Sequence, residues 1–456
     1  MWGPSMSHSP PDLPGAQTTD SPIDRALTLL LANEFEAALR WSAAVVERDA
    51  SIPSALVITC RLLEHMGRTE AAIEGFELAV RRAVDAGNLP LAVAAIADLK
   101  ELGVDIDRHL DGLAAAFCSG SPRLQESETP PPPLPNFEGF QPLSSFLTGP
   151  ALTSKATQIL HAATREYDDA AGSELPLVAP LPLFSALSKD ALRDLVGAFE
   201  MITVPAGEPI IAEGEEGEEA YIVARGELEV SHDDIDGGPR LVLARLVSGA
   251  LFGEMALLSR APRAASVVAT RPSILLVATR DALEQVAERR PEVAVELAAH
   301  CRRRMVANLA RTSPVLISVP PEERRTLVER FETRIYERGD KLVVEGEEAQ
   351  GLHLVASGEV AVVAHENNES VVLAALGAGE TVGEVALVLR RRANADVIAA
   401  HPTVTLFLPR EEFLALVQDH PTILHGLYMM AVRRDDETTM ALDSAPAALA
   451  DDYVLL

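Results

Sequence analysis

Residues 201–232 read MITVPAGEPIIAEGEEGEEAYIVARGELEVSH. Short apolar runs, MITV, PII and YIVA, are cut by turns that contain glycine. Two-residue alternation with turns this closely spaced predicts a small antiparallel β-barrel rather than helices. The pattern occurs twice. Gly207, Gly214 and Gly226 recur as Gly339, Gly346 and Gly358 at one constant offset, whereas Glu254 recurs as Glu384 at an offset shorter by two. The second copy has thus lost two positions, and the shortening is expected where SHDDIDGGPR gives way to HENNE. HDDIDGG (232–238) lacks the closing glutamate of a calcium loop and reads as a hairpin turn. Ahead of the first barrel, LFSALSKDALRDLVGAF (183–199) is amphipathic and helical, with Ser188 placed to cap it. Behind it a helical run covers 280–311, broken at Pro291. Helix, barrel and closing helices therefore form one repeated domain, over 180–311 and again over 312–435.

Between the strands of the first copy stands FGEMALLSRAPRAAS, residues 252–266. Gly253 permits a close backbone turn after a strand. Residues 254–258 can form one helical turn whose first N–H groups point at a bound anion. Glu254 can accept hydrogen bonds from a sugar hydroxyl. Pro262 fixes the chain before Arg263, whose guanidinium can neutralise a phosphate and donate two hydrogen bonds to it. The spacing reads as the lining of a pocket for a small anionic ligand.

At these residues the chain resembles the cyclic nucleotide-binding domain family, whose cassette runs F-G-E-aliphatic-A-L and then P-R-A-A-S/T. The resemblance covers roughly 180–435. It implies that Arg263 contacts the cyclic phosphate, Glu254 the ribose 2′-hydroxyl, and the backbone at Gly253 and Ala264 the ligand. Met255, Ala256, Ala265 and Ser266 complete the implied ligand-binding stretch. Glu218 falls where the family has an acid that orients the arginine. Family members that prefer cGMP often have a threonine directly after that arginine. Ala264 stands there, so cAMP is the expected ligand and cGMP the alternative. In the second copy, TVGEVALVLRRRANADV (381–397), Gly383 and Glu384 remain but Ala393 takes the arginine position and Gln350 that of Glu218. Losing both charges together avoids leaving one unpaired in a partly buried site. Asp396 stands in for Ser266 and is expected to repel a phosphate. Arg390, Arg391 or Arg392 could swing in, but a solvated turn is the simpler reading. The second copy is expected to bind cyclic nucleotide weakly or not at all.

From Pro22 to Cys118 the apolar periodicity is helical. NEFEAAL (33–39) recurs as GRTEAAI (67–73), a spacing that equals the period of tetratricopeptide hairpins. Ala72, Phe76 and Ala79 fall at that repeat's packing positions, and a plain helical bundle is the alternative. Such a surface suits a protein partner. Residues 119–179, with TPPPPLPNF, read as a proline-rich spacer with a helix near 152–171. Residues 1–21 read as disordered and 436–456 as an acidic tail. The fold class expected is a multidomain α + β chain: tetratricopeptide-like helices followed by two β-roll domains with flanking helices.

The chain has 456 residues and a formal charge of −29, which disfavours nucleic acid and anionic membrane as partners. Three scattered cysteines, Cys60, Cys118 and Cys301, give no zinc or disulfide pattern, and a cytoplasmic setting is expected. No catalytic, metal or resident-cofactor motif is found. The linker 119–179 contains only Arg123, Lys155 and Arg165 as basic residues. It therefore lacks the basic inhibitor segment of protein kinase A regulatory subunits, whose layout is otherwise similar. Two functions remain: a non-enzymatic cyclic-nucleotide sensor and adaptor, or a scaffold whose barrels bind protein rather than nucleotide.

Overall fold

The computed structural model describes residues 21–125, 137–170, 175–232, 240–258, 262–313, 327, 330–366, 369–419, 424 and 427–435. Residues 1–20, the proline run, 233–239 and the acidic tail lie outside them, so their sequence readings do too. The chain divides into two units, 1–75 with 129–172 and 76–128 with 173–456. The cut runs through a helix, not along the edge of the segment 22–118 that helical periodicity marks out.

In the first unit, α1 (Pro22–Leu31), α2 (Phe35–Arg48), α3 (Pro53–His65) and the start of α4 (Thr69–Asp85) precede α7 (Gly149–Ala170). Helix α2 packs on α1, α3 and α7. The helical recurrence has a backbone counterpart. Asn33 and Gly67, one period apart, both take positive φ, 61° and 76°. The next amide reaches back to Leu29 and to Leu63 at 2.8 and 2.7 Å, closing α1 and α3 with the same turn. Part of the expected spacer is packed. Phe140 stacks on Trp41 at 5.9 Å between ring centroids, and the Leu143 amide donates to the Arg40 carbonyl at 3.1 Å.

The second unit contains α5 (Leu89–Glu101), α6 (Asp107–Phe117), α8 (Lys189–Val196) and both barrels. Ser188 Oγ accepts from the Ala191 amide at 3.3 Å and caps α8, as its position suggested. The first barrel has β1 (Glu200–Val204), β2 (Pro209–Ile211), β3 (Glu219–Arg225), β4 (Glu227–His232), β5 (Leu241–Val247), β6 (Leu251–Phe252), β7 (Ser266–Ala269) and β8 (Ser273–Thr279). They form two antiparallel sheets, β1-β8-β3-β6 and β2-β7-β4-β5. The helix α9 (Met255–Leu258) lies between β6 and β7, and α10 (Arg280–Arg289) and α11 (Pro291–Thr312) follow β8. Pro291 opens α11 at a position where its missing N–H costs nothing.

The second barrel has β9 (Glu332–Tyr336), β10 (Lys341–Val343), β11 (Gly351–Ser357), β12 (Val360–Glu366), β13 (Glu369–Leu376), β14 (Thr381–Val382), β15 (Asp396–Ala399) and β16 (Thr403–Pro409), with α12 (Glu384–Val388) and α13 (Arg410–Asp419). Its sheets, β14-β11-β16-β9 and β10-β15-β12-β13, repeat the first topology strand for strand. The registers place the shortening. Leu228 pairs with Leu246, and Val360 with Leu376. Val360 follows Leu228 at the longer, glycine offset, and Leu376 follows Leu246 at the shorter one of the glutamates. The deletion therefore sits in the hairpin loop between β4 and β5. Gly226 turns β3 into β4 at φ 116°, where a Cβ would lie 2.0 Å from Ser273 Oγ; only glycine fits both demands. Leu228, Leu246, Val223 and Leu275 fill the first core, and Leu352, Leu354, Leu406 and Leu408 belong to the second.

Among the described residues no helix is long and apolar enough to cross a membrane, and no cluster of His, Cys, Asp and Glu could hold a metal ion. All three cysteines are buried thiols, and none is joined in a disulfide.

Candidate functional site

The stretch after β6 turns at Gly253, φ 74°, where an added Cβ would lie 2.9 Å from both Arg263 Nη1 and the Glu219 carbonyl oxygen. Helix α9 starts at Met255 and includes Ala256. Arg263 is buried. Its Nη1 donates to the Gly253 carbonyl at 2.9 Å, and Nη2 donates to the Glu219 carbonyl at 2.9 Å and approaches the Glu219 carboxylate at 3.4 Å. The Arg263 backbone is tied at both faces: its amide donates to Glu215 O and its carbonyl accepts from Gly214 N, each at 2.8 Å. A guanidinium held by fixed carbonyls loses little rotamer entropy when an anion arrives. Ala264 is exposed, Ala265 half-buried, and Ser266 buried at the start of β7. Ser266 Oγ accepts from the Glu213 amide at 3.0 Å.

Three residues at this site were not singled out in the sequence. The acid beside Arg263 is Glu219, whereas Glu218, one residue earlier, is exposed and its carbonyl accepts from Arg280 N at 2.7 Å. Successive side chains on a strand point to opposite faces, so a slip of one residue exchanges the partner. Gly217 lies against the guanidinium: a Cβ there would sit 2.4 Å from Arg263 Nη2. Arg304, on α11, pairs its Nε with Glu254 Oε1 at 3.3 Å and donates from Nη1 to the Leu251 carbonyl at 2.8 Å. Glu254 is only 3% exposed, and burial raises its pKa against the opposing pull of Arg304. A ligand hydroxyl reaching Glu254 would meet a carboxylate that α11 already holds.

The family model for the cyclic nucleotide-binding domain matches residues 201–290 and 333–420. The chain carries two cyclic nucleotide-binding domains. Over 244 residues it is 33% identical to a cAMP-dependent protein kinase regulatory subunit of Yarrowia lipolytica, covering 52% of this chain and 60% of that protein. The regulatory subunit of Hypocrea atroviridis is 32% identical over 242 residues, 52% of this chain and 50% of the other. The chain thus matches half to three-fifths of the length of these relatives. The regulatory domain of Toxoplasma gondii protein kinase A, solved with cAMP, matches at 28% identity and a TM-score of 0.28, covering 55% of this chain and 92% of that one.

In the second cyclic nucleotide-binding domain the backbone of the cassette persists. Ala393 N donates to Glu347 O and Gly346 N to Ala393 O, both at 2.9 Å, the same bonds that Arg263 makes with Glu215 and Gly214. Gly383 keeps its turn at φ 89° and Glu384 its burial. The surroundings of the guanidinium have changed together. Arg263 becomes Ala393, Gly217 becomes Ala349, and Glu219 becomes Gly351, where a Cβ would lie 2.2 Å from the Leu408 carbonyl oxygen. Methyl groups, Ala349 and Ala393, now fill buried positions beside a vanished cation.

Asp396 is not a free charge awaiting a phosphate. It is buried, accepts from the Glu345 amide at 2.7 Å as Ser266 does from Glu213, and pairs with Lys341 at 2.6 Å and His365 Nε2 at 2.9 Å. Burial by itself would raise its pKa. The Lys341 ammonium, the Glu345 amide and the His365 ring outweigh that and hold it at about 2. The arginine run is engaged elsewhere. Arg391 pairs with Asp435, and Arg392 donates to Gly346 O at 3.1 Å. The arginine from the closing helix has a counterpart: Arg434 pairs with Glu384 at 2.6 Å and donates to the Thr381 carbonyl. Arg304, Glu254 and Leu251 are thus matched by Arg434, Glu384 and Thr381, all at one common offset.

Proposed function

We propose that the chain is a non-enzymatic cyclic-nucleotide sensor, that cAMP is the ligand, and that the first domain binds it. The observation that supports this most is the seat of Arg263, a buried guanidinium fixed by the Gly253 and Glu219 carbonyls beside the cassette turn. Its charge would neutralise the cyclic phosphate, with Gly253, Met255, Ala256, Ala264, Ala265 and Ser266 around it. Glu254 would accept from the ribose 2′-hydroxyl. That bond competes with Arg304 for the same carboxylate, so binding would shift α11. The second domain, with Ala393 for the arginine, would receive that shift rather than bind ligand. The helices ahead of the barrels would carry the protein partner, and the chain would work in the cytoplasm.

Isothermal calorimetry on Arg263→Ala tests the reading. Cyclic AMP heat should vanish while the melting transition stays. Unchanged affinity would remove Arg263 from the site and return the chain to the scaffold reading.

A further inference from the structure

The end of the second domain leaves an apolar groove of about 390 Å³, lined by Leu387 and Val388 of α12, Phe413 and Val417 of α13, and Tyr428. Tyr428 and Leu414 at this groove are exposed large apolar side chains. Arg390 stands on its rim, in the left-handed region at φ 52°, and has no carboxylate partner among the described residues. A non-glycine residue held there is strained, which fixes the direction in which its side chain leaves the backbone.

We propose that this groove is the docking site for the chain's own residues 451–456, DDYVLL. Three observations point to that occupant. The last described residue, Asp435, pairs with Arg391, the chain neighbour of the rim residue Arg390, and accepts from Asn394 Nδ2 at 3.1 Å. Residues 436–456 therefore follow in sequence directly after a residue held next to Arg390. Sixteen residue steps separate Asp435 from Asp451, a reach of at most about 55 Å, and a tether that can span to its site gives a local concentration in the millimolar range. The chemistry also matches. Residues 436–456 contain acids but no Lys or Arg, and DDYVLL is where two acids directly precede an unbroken apolar run. Tyr453, Leu455 and Leu456 would cover the apolar walls while Asp451 or Asp452 meets Arg390.

The proposal stands apart from the cyclic-nucleotide reading, and its test uses the full chain without nucleotide. Amide hydrogen exchange of the wild type is compared with Tyr453→Ser/Leu455→Ser/Leu456→Ser. Peptides over 384–389 and 410–419 should exchange about tenfold faster in the variant, the loss expected of a weak tethered contact, and first-domain peptides should not change. Arg390→Glu should have the same effect, and adding Asp451→Lys/Asp452→Lys to it should restore protection. Equal exchange in the wild type and the tail variant overturns the proposal. Protection that appears only as protein concentration rises also overturns it, because the occupant is then the tail of a second copy.

Discussion

At the scale of single residues, the two domains form a paired experiment on one buried cation. Where Arg263 is present, Gly217 leaves it room; where Ala393 replaces it, Ala349 has grown by a methyl. Restoring the arginine alone should therefore fail. Ala393→Arg should melt below the wild type and bind no cAMP, because its guanidinium overlaps the Ala349 methyl. Ala393→Arg with Ala349→Gly should recover stability; thermal melts and calorimetry check both, and a stable single variant would show that the space is not limiting. Asp396 gives a pH prediction. Its folded pKa, about 2, lies below the ordinary 3.8, so its contribution is complete above about pH 5 and is lost as pH falls through 2. The difference corresponds to about 2 kcal/mol. Asp396→Asn should thus lower stability at pH 6, and the gap to wild type should close in acid melts between pH 4 and 2.

At the scale of elements, α11 is the part that joins the two sites. Arg304 reaches Glu254 and Leu251 of the first cassette, while Val306 and Leu309 pack into the core of the second barrel. Arg304 and Leu309 stand about 7.5 Å apart along the helix axis. A helix transmits displacement over that distance only while its hydrogen bonds hold. Ala307 is exposed, so Ala307→Pro removes no core contact but costs about 3 kcal/mol of helix. Cyclic AMP affinity should stay within about threefold, and ligand-induced changes in hydrogen exchange over 351–357 should disappear. Persistence of those changes would place the coupling outside α11. The break at Pro291 and the cap at Ser188 were legible because Pro and Ser act on their own backbone. Arg304 was not, since its partner Glu254 is remote in sequence and a run of three arginines looks like a solvated face.

At the scale of the whole molecule, the helices and the first barrel are less separate than their periodicities suggest. Helix α5 packs on β1, β3 and β8, and Asn88 Nδ2 donates to Ser248 Oγ at 3.2 Å. If the first domain tightens on its ligand, α5 should feel it. Amide exchange over 89–101 should slow on cAMP addition to the wild type and stay unchanged in Arg263→Ala; no response in the wild type would confine the signal to the barrels. The sequence by itself determined the two barrels, the offsets that relate them, the shortened hairpin, the cassette and its loss of the arginine. All are patterns of neighbouring residues or of one copy against the other, so spacing alone carries them. Only the tertiary structure decided that Glu219 rather than Glu218 meets Arg263, that Arg304 holds Glu254, that Asp396 is paired with Lys341 and His365, and that α5 packs on the first barrel. Those pairings are set by which strand face and which distant element share a volume, and no local pattern encodes that choice.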